Sequence, residues 1–284
     1  MRKKFIIAIA AVIIVLVAAA VYLAPPSPRT PAVIYAAPTL RKIADKIAAL
    51  DGGQVDIQVY GSVAAANLIK SGKIPDLFLT VDSELKEGLG YRKEYTLGTY
   101  RLVFVCQKGI ESLDAVKTVK LGLADPNQAP IGYRALAAIY LMAGERYPEL
   151  IDEVQRSLNI RFQKSGETLV MELSEISPSG RFSLRPNLDV VGSLLESRVV
   201  DCIFAYYPFV LARNFTQTYN VIEVPTQLNF ESDPPIKITA KLKSGEIVVK
   251  RFEAAAYSFT PRGDQLIELL KKIDLSSFGI KPAR

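Results

Sequence analysis

The sequence has no histidine, no tryptophan and only two cysteines in 284 residues. Without histidine there is no imidazole general base, no Ser–His–Asp or Cys–His nucleophile system and no His-ligated metal site. Cys106 and Cys202 are too few for a thiolate metal cage or a disulfide framework. Both lie in apolar, strand-like runs, where small buried hydrophobes are expected. No GxxxxGK[ST] stretch occurs either, which removes the usual nucleotide-phosphate loop. The chemistry of this chain falls to hydroxyls, carboxylates, Lys/Arg and backbone groups.

Charge is scarce where a polyanion binder would need it. The formal +6 comes from 35 Lys+Arg against 29 Asp+Glu, yet Arg2, Lys3, Lys4 and Arg29 lie in the first thirty residues, which contain no acid. The rest of the chain carries 31 basic against 29 acidic groups. That near-neutral body argues against a nucleic-acid partner. Phe5 to Leu23 is an uncharged run of 19 residues. As a helix it would span about 28 Å, close to the thickness of a bilayer's hydrocarbon core. The basic residues before it favour a cytoplasmic N-terminus, with the remainder outside. An uncleaved membrane anchor over residues 1–23 is expected, a cleaved signal peptide with its site at Ala18-Ala19-Ala20 being the other reading. No cysteine follows the run for lipid attachment. Residues 24–31 (APPSPRTP) read as a stiff, extended spacer.

From residue 31 onwards short β-rich runs alternate with helical patterns. Strands are expected at Val33–Ala36, Val55–Tyr60, Leu77–Thr80, Arg101–Cys106, Val119–Ala124, Asp201–Tyr206 and Val221–Val224. Helices are expected at Leu40–Leu50, Val63–Lys70, Ile131–Ala143, Val190–Glu196 and Asp264–Ile273, with a sheet-like tail over Ile236–Phe259. Leu266, Leu269 and Leu270 form the core stripe of the last helix. The alternation predicts an α/β fold of mostly parallel sheets flanked by helices. The length suits two lobes: one over 32–98 and 220–284, the other over 99–219, with crossings near Gly98-Thr99 and Tyr219-Asn220.

Three strand-to-helix turns share a character: Ala36-Ala37-Pro38-Thr39-Leu40, Tyr60-Gly61-Ser62-Val63 and Ala129-Pro130-Ile131-Gly132-Tyr133. Free N–H groups and the positive end of the helix dipole suit such turns to anions, and Thr39 and Ser62 add hydroxyl donors. Taken alone, each hydroxyl reads first as a cap on its own helix, and the anion reading gains from the recurrence of three similar turns in one chain. Asp76, Asp82, Asp125 and Asp189 sit at element edges, where caps are expected. Lys241, Lys243, Lys250 and Arg251 read as a solvated sheet face.

The stretches YAAPTL, YGSVAAANLIKSGKIPDLFLTVD, LADPNQAPIGYRAL, RPNLDVVGSLLESRVVDCIFAYY and VIEVPTQLN follow one another in this order. The ordered set resembles the substrate-binding proteins of molybdate and tungstate ABC importers, particularly the archaeal type. The resemblance implies a two-lobed, hinged fold of the type II periplasmic-binding-protein kind that closes on one oxyanion and delivers it to ABC permease subunits, as a monomer without cofactor or catalysis. It maps the ligand donors to Thr39, Ser62, the backbone N–H groups of Ile131 and Val190, and the Tyr206 hydroxyl, with Tyr207 a competitor. For Tyr133 and Arg134 it implies helix-start architecture. Archaeal members bring two carboxylates to the metal, and the matching positions here are Ala129 and Ala205. The resemblance therefore implies a tetrahedral ion held by hydrogen bonds alone, with weaker discrimination against sulfate. An anchored enzyme acting on phosphate or sulfate esters, and a sensory module that has lost its ligand, are the rival expectations.

Overall fold

The computed structural model describes residues 30–52, 54–144 and 147–283. The expected anchor and all but the end of the spacer lie outside the described residues; among those described, no helix is long and apolar enough to cross a membrane. From Ala32 onwards the chain forms one compact unit.

Three sheets organise it. In the first, β1 (Ala32–Ala36) lies between its parallel neighbours β2 (Val55–Val59) and β3 (Leu77–Thr80). The same sheet continues through the antiparallel pairs of β3 with β14 (Ala254–Ser258), β14 with β4 (Lys93–Thr99) and β4 with β15 (Lys281–Pro282). In the second, β6 (Leu121–Ala124) is parallel to both β9 (Phe182–Arg185) and β10 (Cys202–Tyr206). There β5 (Leu102–Cys106) runs antiparallel between β10 and β11 (Asn220–Glu223). The third joins two hairpins, β7 (Arg161–Ser165) with β8 (Thr168–Glu172) and β12 (Lys237–Leu242) with β13 (Gly245–Val249), through parallel β8 and β12.

The two large sheets are thus mixed, not mostly parallel as expected. Strands reached through a helix within their own sheet run parallel. In contrast, β5 and β14 enter directly from another sheet and pair antiparallel, which needs no crossover helix. The chain leaves the first sheet at Thr99 and enters the second at Leu102. The return expected near Tyr219-Asn220 falls elsewhere. Asn220–Glu223 completes the second sheet, setting Val221 and Ile222 opposite Val105 and Phe104, and the chain rejoins the first sheet only at Ala254. The 148–186 region, expected to hold a helical stretch and a polar segment, supplies the helix Pro148–Leu158 and then the β7–β8 hairpin, whose partner strand β12 lies about seventy residues downstream.

A 3-10 turn (Pro38–Leu40) leads into α1 (Arg41–Leu50), and α2 spans Ser62–Lys70. Further on come α3 (Pro130–Ala143), α4 (Pro148–Leu158) and α5 (Leu188–Glu196). The short α6 (Tyr207–Ala212) and α7 (Phe215–Thr218) precede α8 (Pro261–Leu270). Helix α3 is apolar nearly all round and is buried continuously from Pro130 to Ile139.

Cys106 and Cys202 are not separate buried hydrophobes. The β5–β10 register sets them directly opposite, and they form a disulfide with Cα atoms 4.1 Å apart.

Candidate functional site

Parallel strands end at a common edge, where the helices that follow begin. In the first sheet this edge brings together the turn with Thr39 after β1, Ser62 at the start of α2 after β2, and Val81-Asp82 after β3. In the second sheet it gathers the starts of α3, α5 and α6 after β6, β9 and β10. The two edges meet. The Ala64 N–H of α2 donates to the Gln128 carbonyl at 3.0 Å, and the Pro38–Leu40 turn packs on α5 and α6.

Three hydroxyls in this region keep an unspent hydrogen. Thr39 is 5% exposed, caps nothing and forms no side-chain hydrogen bond among the described residues. Ser62, fully buried, accepts from the Val81 N–H at 3.2 Å but donates to no described residue. The Tyr206 hydroxyl is buried without any partner. Other buried hydroxyls are used: Thr80 donates to the Asp82 carbonyl, Ser83 to Glu253, Ser258 to Asp264 and Tyr100 to the Val81 carbonyl. Burial pushes the Tyr206 hydroxyl far above its ordinary pKa, against the lowering effect of Arg134, so it stays protonated and able to donate.

The expected amide donors differ from one another. Ile131 is the second residue of α3, where an N–H has no helical acceptor. Val190 is the third residue of α5, also in the first turn, but its N–H is already taken by Asn187 Oδ1 at 3.1 Å and the residue is 39% exposed. An asparagine N-cap competes with any ligand there, so the expected Val190 donor is spent. Ala129 is the residue before α3, and Ala205 is fully buried one residue before Tyr206.

Beneath the hydroxyls lies a buried ionic cluster that residue patterns had not assembled. Asp82 accepts from Arg134 Nη1 at 2.7 Å and from the Tyr133 hydroxyl. Arg134 also donates through Nη1 to the Tyr133 hydroxyl at 3.4 Å and through Nε and Nη2 to the carbonyls of Lys250 and Arg251 at 3.1–3.3 Å, so all five guanidinium N–H groups are engaged within the protein. It therefore positions; it has no donor left for a ligand. Burial opposes its charge, and Asp82 with the buried tyrosines more than restores it, raising its pKa. The Tyr100 and Phe252 rings stack at 5.1 Å, with Tyr206 edge-on to both and Arg134 over Phe252 at 4.6 Å. Tyr100 lies between β4 and β5 and Phe252 between β13 and β14, so the stack joins the two connections by which the chain leaves and rejoins the first sheet. One sequence signal pointed here: Arg134 is the only charge in the run PIGYRALAAIYLMA. Among the described residues no group of three His, Cys, Asp or Glu side chains could hold a metal ion.

Residues 32–259 match the family model described as bacterial extracellular solute-binding protein, and the chain belongs to that family. Its members are extracytoplasmic. The Azotobacter vinelandii periplasmic molybdate-binding protein shares the mixed α/β fold, at 14% identity and a TM-score of 0.62 over 89% of this chain and 100% of that one. L-phospholactate-bound PEB3 matches at 12% identity and a TM-score of 0.54 over 89% and 100%. The periplasmic binding protein AfuA of Actinobacillus pleuropneumoniae, with fructose-6-phosphate bound, matches at 10% identity and 0.51 over 86% and 78%.

Proposed function

We propose that this protein captures a tetrahedral oxyanion, molybdate or tungstate first among them, between two lobes outside the cytoplasm and passes it to the permease of an ABC importer. Lobe 1 is built on the first sheet and lobe 2 on the second, and the paired connections carrying Tyr100 and Phe252 form the hinge. The observation that carries this reading is the set of unspent hydroxyls, Thr39, Ser62 and Tyr206, at the facing strand ends. A fully deprotonated oxyanion has only acceptors, and its natural partners are such donors with the free helix-start amides. Molybdate, phospholactate and fructose-6-phosphate, the ligands of the three similar structures, share a tetrahedral oxyanion group. With Ala129 and Ala205 at the two carboxylate positions, the ion keeps four oxygens and is held by hydrogen bonds alone. No reaction is required: the lobes alternate between open and ligand-closed states.

Calorimetric titration of the full chain with molybdate, tungstate and sulfate tests this. Saturable heat with molybdate or tungstate in the presence of excess sulfate supports it. No heat and no thermal stabilisation with any of the three ends the oxyanion reading.

A further inference from the structure

The two strand-end edges meet at Gly61. This residue precedes α2 with φ −59° and ψ 141°, backbone that any L-residue adopts, so the first sheet's own geometry does not require glycine. The requirement comes from across the cleft. A Cβ placed on Gly61 would lie 2.3 Å from the Gln128 carbonyl oxygen, 2.9 Å from its carbon and 3.1 Å from the Ala129 Cβ. All three atoms belong to the segment between β6 and α3. One turn along, the Ala64 N–H donates to that same carbonyl at 3.0 Å.

The Gln128 carbonyl cannot easily yield. Asp125 clamps the turn beneath it, its Oδ1 accepting from the Asn127 N–H at 2.8 Å and its Oδ2 from Gln128 Nε2 at 2.9 Å. The Asp125 carbonyl accepts from the Gln128 and Ala129 N–H groups. Asn127 then ties the turn to the third sheet, donating to the Leu173 carbonyl at 3.0 Å and accepting from the Lys243 N–H at 2.8 Å. The third sheet thereby buttresses one jaw of the contact.

Ser62 follows Gly61 in the chain, and Ile131 lies two residues beyond Ala129. The contact thus sits beside one proposed donor from each side of the cleft. Thr39, Ser62 and Tyr206 are all at or below 5% exposure, so an ion that they hold is shut off from bulk water. We propose that Gly61 and the Gln128 carbonyl form a closure seal that determines specificity: the missing side chain lets the jaws meet backbone to backbone, so a bare tetrahedral oxyanion is enclosed and its organic monoesters are refused. This rests on the oxyanion reading above and names the residue that enforces it.

The test compares the full chain with Gly61→Ala, using molybdate and methyl phosphate at a pH where both are dianions. The unaltered chain binds molybdate at least about tenfold more tightly than methyl phosphate. In Gly61→Ala the closed state is penalised, so molybdate affinity falls by about tenfold or more. Its ligand-free melting temperature stays that of the unaltered chain, because the clash exists only across the cleft. Amide exchange gives a second reading. Molybdate slows exchange at Ala64 in the unaltered chain and does so much less in the variant, while mid-α2 amides match. Equal molybdate affinity and equal Ala64 protection in both proteins overturn the seal and leave the oxyanion reading standing. A ligand-free variant that melts far lower or does not fold also overturns it, since Gly61 would then serve the fold itself. Equal binding of both probes by the unaltered chain removes the specificity claim. No molybdate binding by the unaltered chain overturns the oxyanion reading and the seal with it.

Discussion

Arg134 donates to Asp82 at 2.7 Å across the boundary between the first and second sheets, with side chains 0% and 1% exposed. Truncating either partner leaves the other buried and uncompensated, which typically costs about 3–5 kcal/mol. Asp82→Asn and Arg134→Met should each lower unfolding stability by about that much in denaturant titrations. The double substitution should cost clearly less than the two singles added, because it leaves no orphaned charge.

Alkaline pH should unfold this protein steeply. Burial raises the phenol pKa values of Tyr100, Tyr133 and Tyr206, so the fold favours their protonated forms. The sign follows: their contribution is complete below the unfolded pKa of about 10 and is lost as pH rises above it. Each tyrosine can remove up to about 1.4 kcal/mol per pH unit in that range. Denaturant unfolding followed across a pH series should show this decline, and Tyr206→Phe should make it shallower.

The three site hydroxyls should separate binding from stability in different ways. Tyr206→Phe removes a hydroxyl with no partner, so ligand-free stability should hold or rise slightly. Ser62→Ala strips the Val81 N–H of its acceptor and should cost about 1 kcal/mol before any ligand is added. Thr39→Val, Ser62→Ala and Tyr206→Phe should each weaken oxyanion binding by about 1.5–3 kcal/mol, the worth of a hydrogen bond to a charged group. Calorimetry paired with ligand-free melting checks both halves.

Asn187→Ala should behave in the opposite way. It removes the cap on Asp189 and Val190 and should cost about 1 kcal/mol of stability. Oxyanion affinity should be unchanged, since the Val190 amide serves the helix. A marked change in affinity would return Val190 to the ligand set.

The Cys106–Cys202 bond closes a loop of 96 residues, so chain entropy assigns it about 4–5 kcal/mol. Replacing both cysteines with serine, or reducing the bond, should lower the melting temperature substantially. Thiol titration of the unfolded, unreduced chain should find no free thiol.

Much of the fold was legible. Segments with strong local patterns, such as Leu77–Thr80 and Ile131–Ala143, stand where periodicity placed them, to within a residue. The strand Lys93–Thr99 carries charged and partly exposed residues and escaped notice because its order comes from β14 beside it. In the third sheet β12 and β13 fall within the expected sheet-like tail, while the β7–β8 hairpin and its pairing with β12 escaped, because that pairing joins segments that local pattern cannot connect.

The amino-acid sequence by itself determined which chemistry was available. With no histidine and a near-neutral body, an anion has to be met by hydroxyls and amides, and the three small-residue turns marked where those groups begin helices. Only the tertiary structure decided which donors remain unspent. Val190 lost its N–H to Asn187, Arg134 spent every donor inside the protein, and Thr39, Ser62 and Tyr206 kept theirs. It also paired the cysteines and set Gly61 against Gln128. Saturation of a donor and contact across a cleft depend on partners tens of residues away in sequence, and packing alone brings those partners within hydrogen-bonding distance.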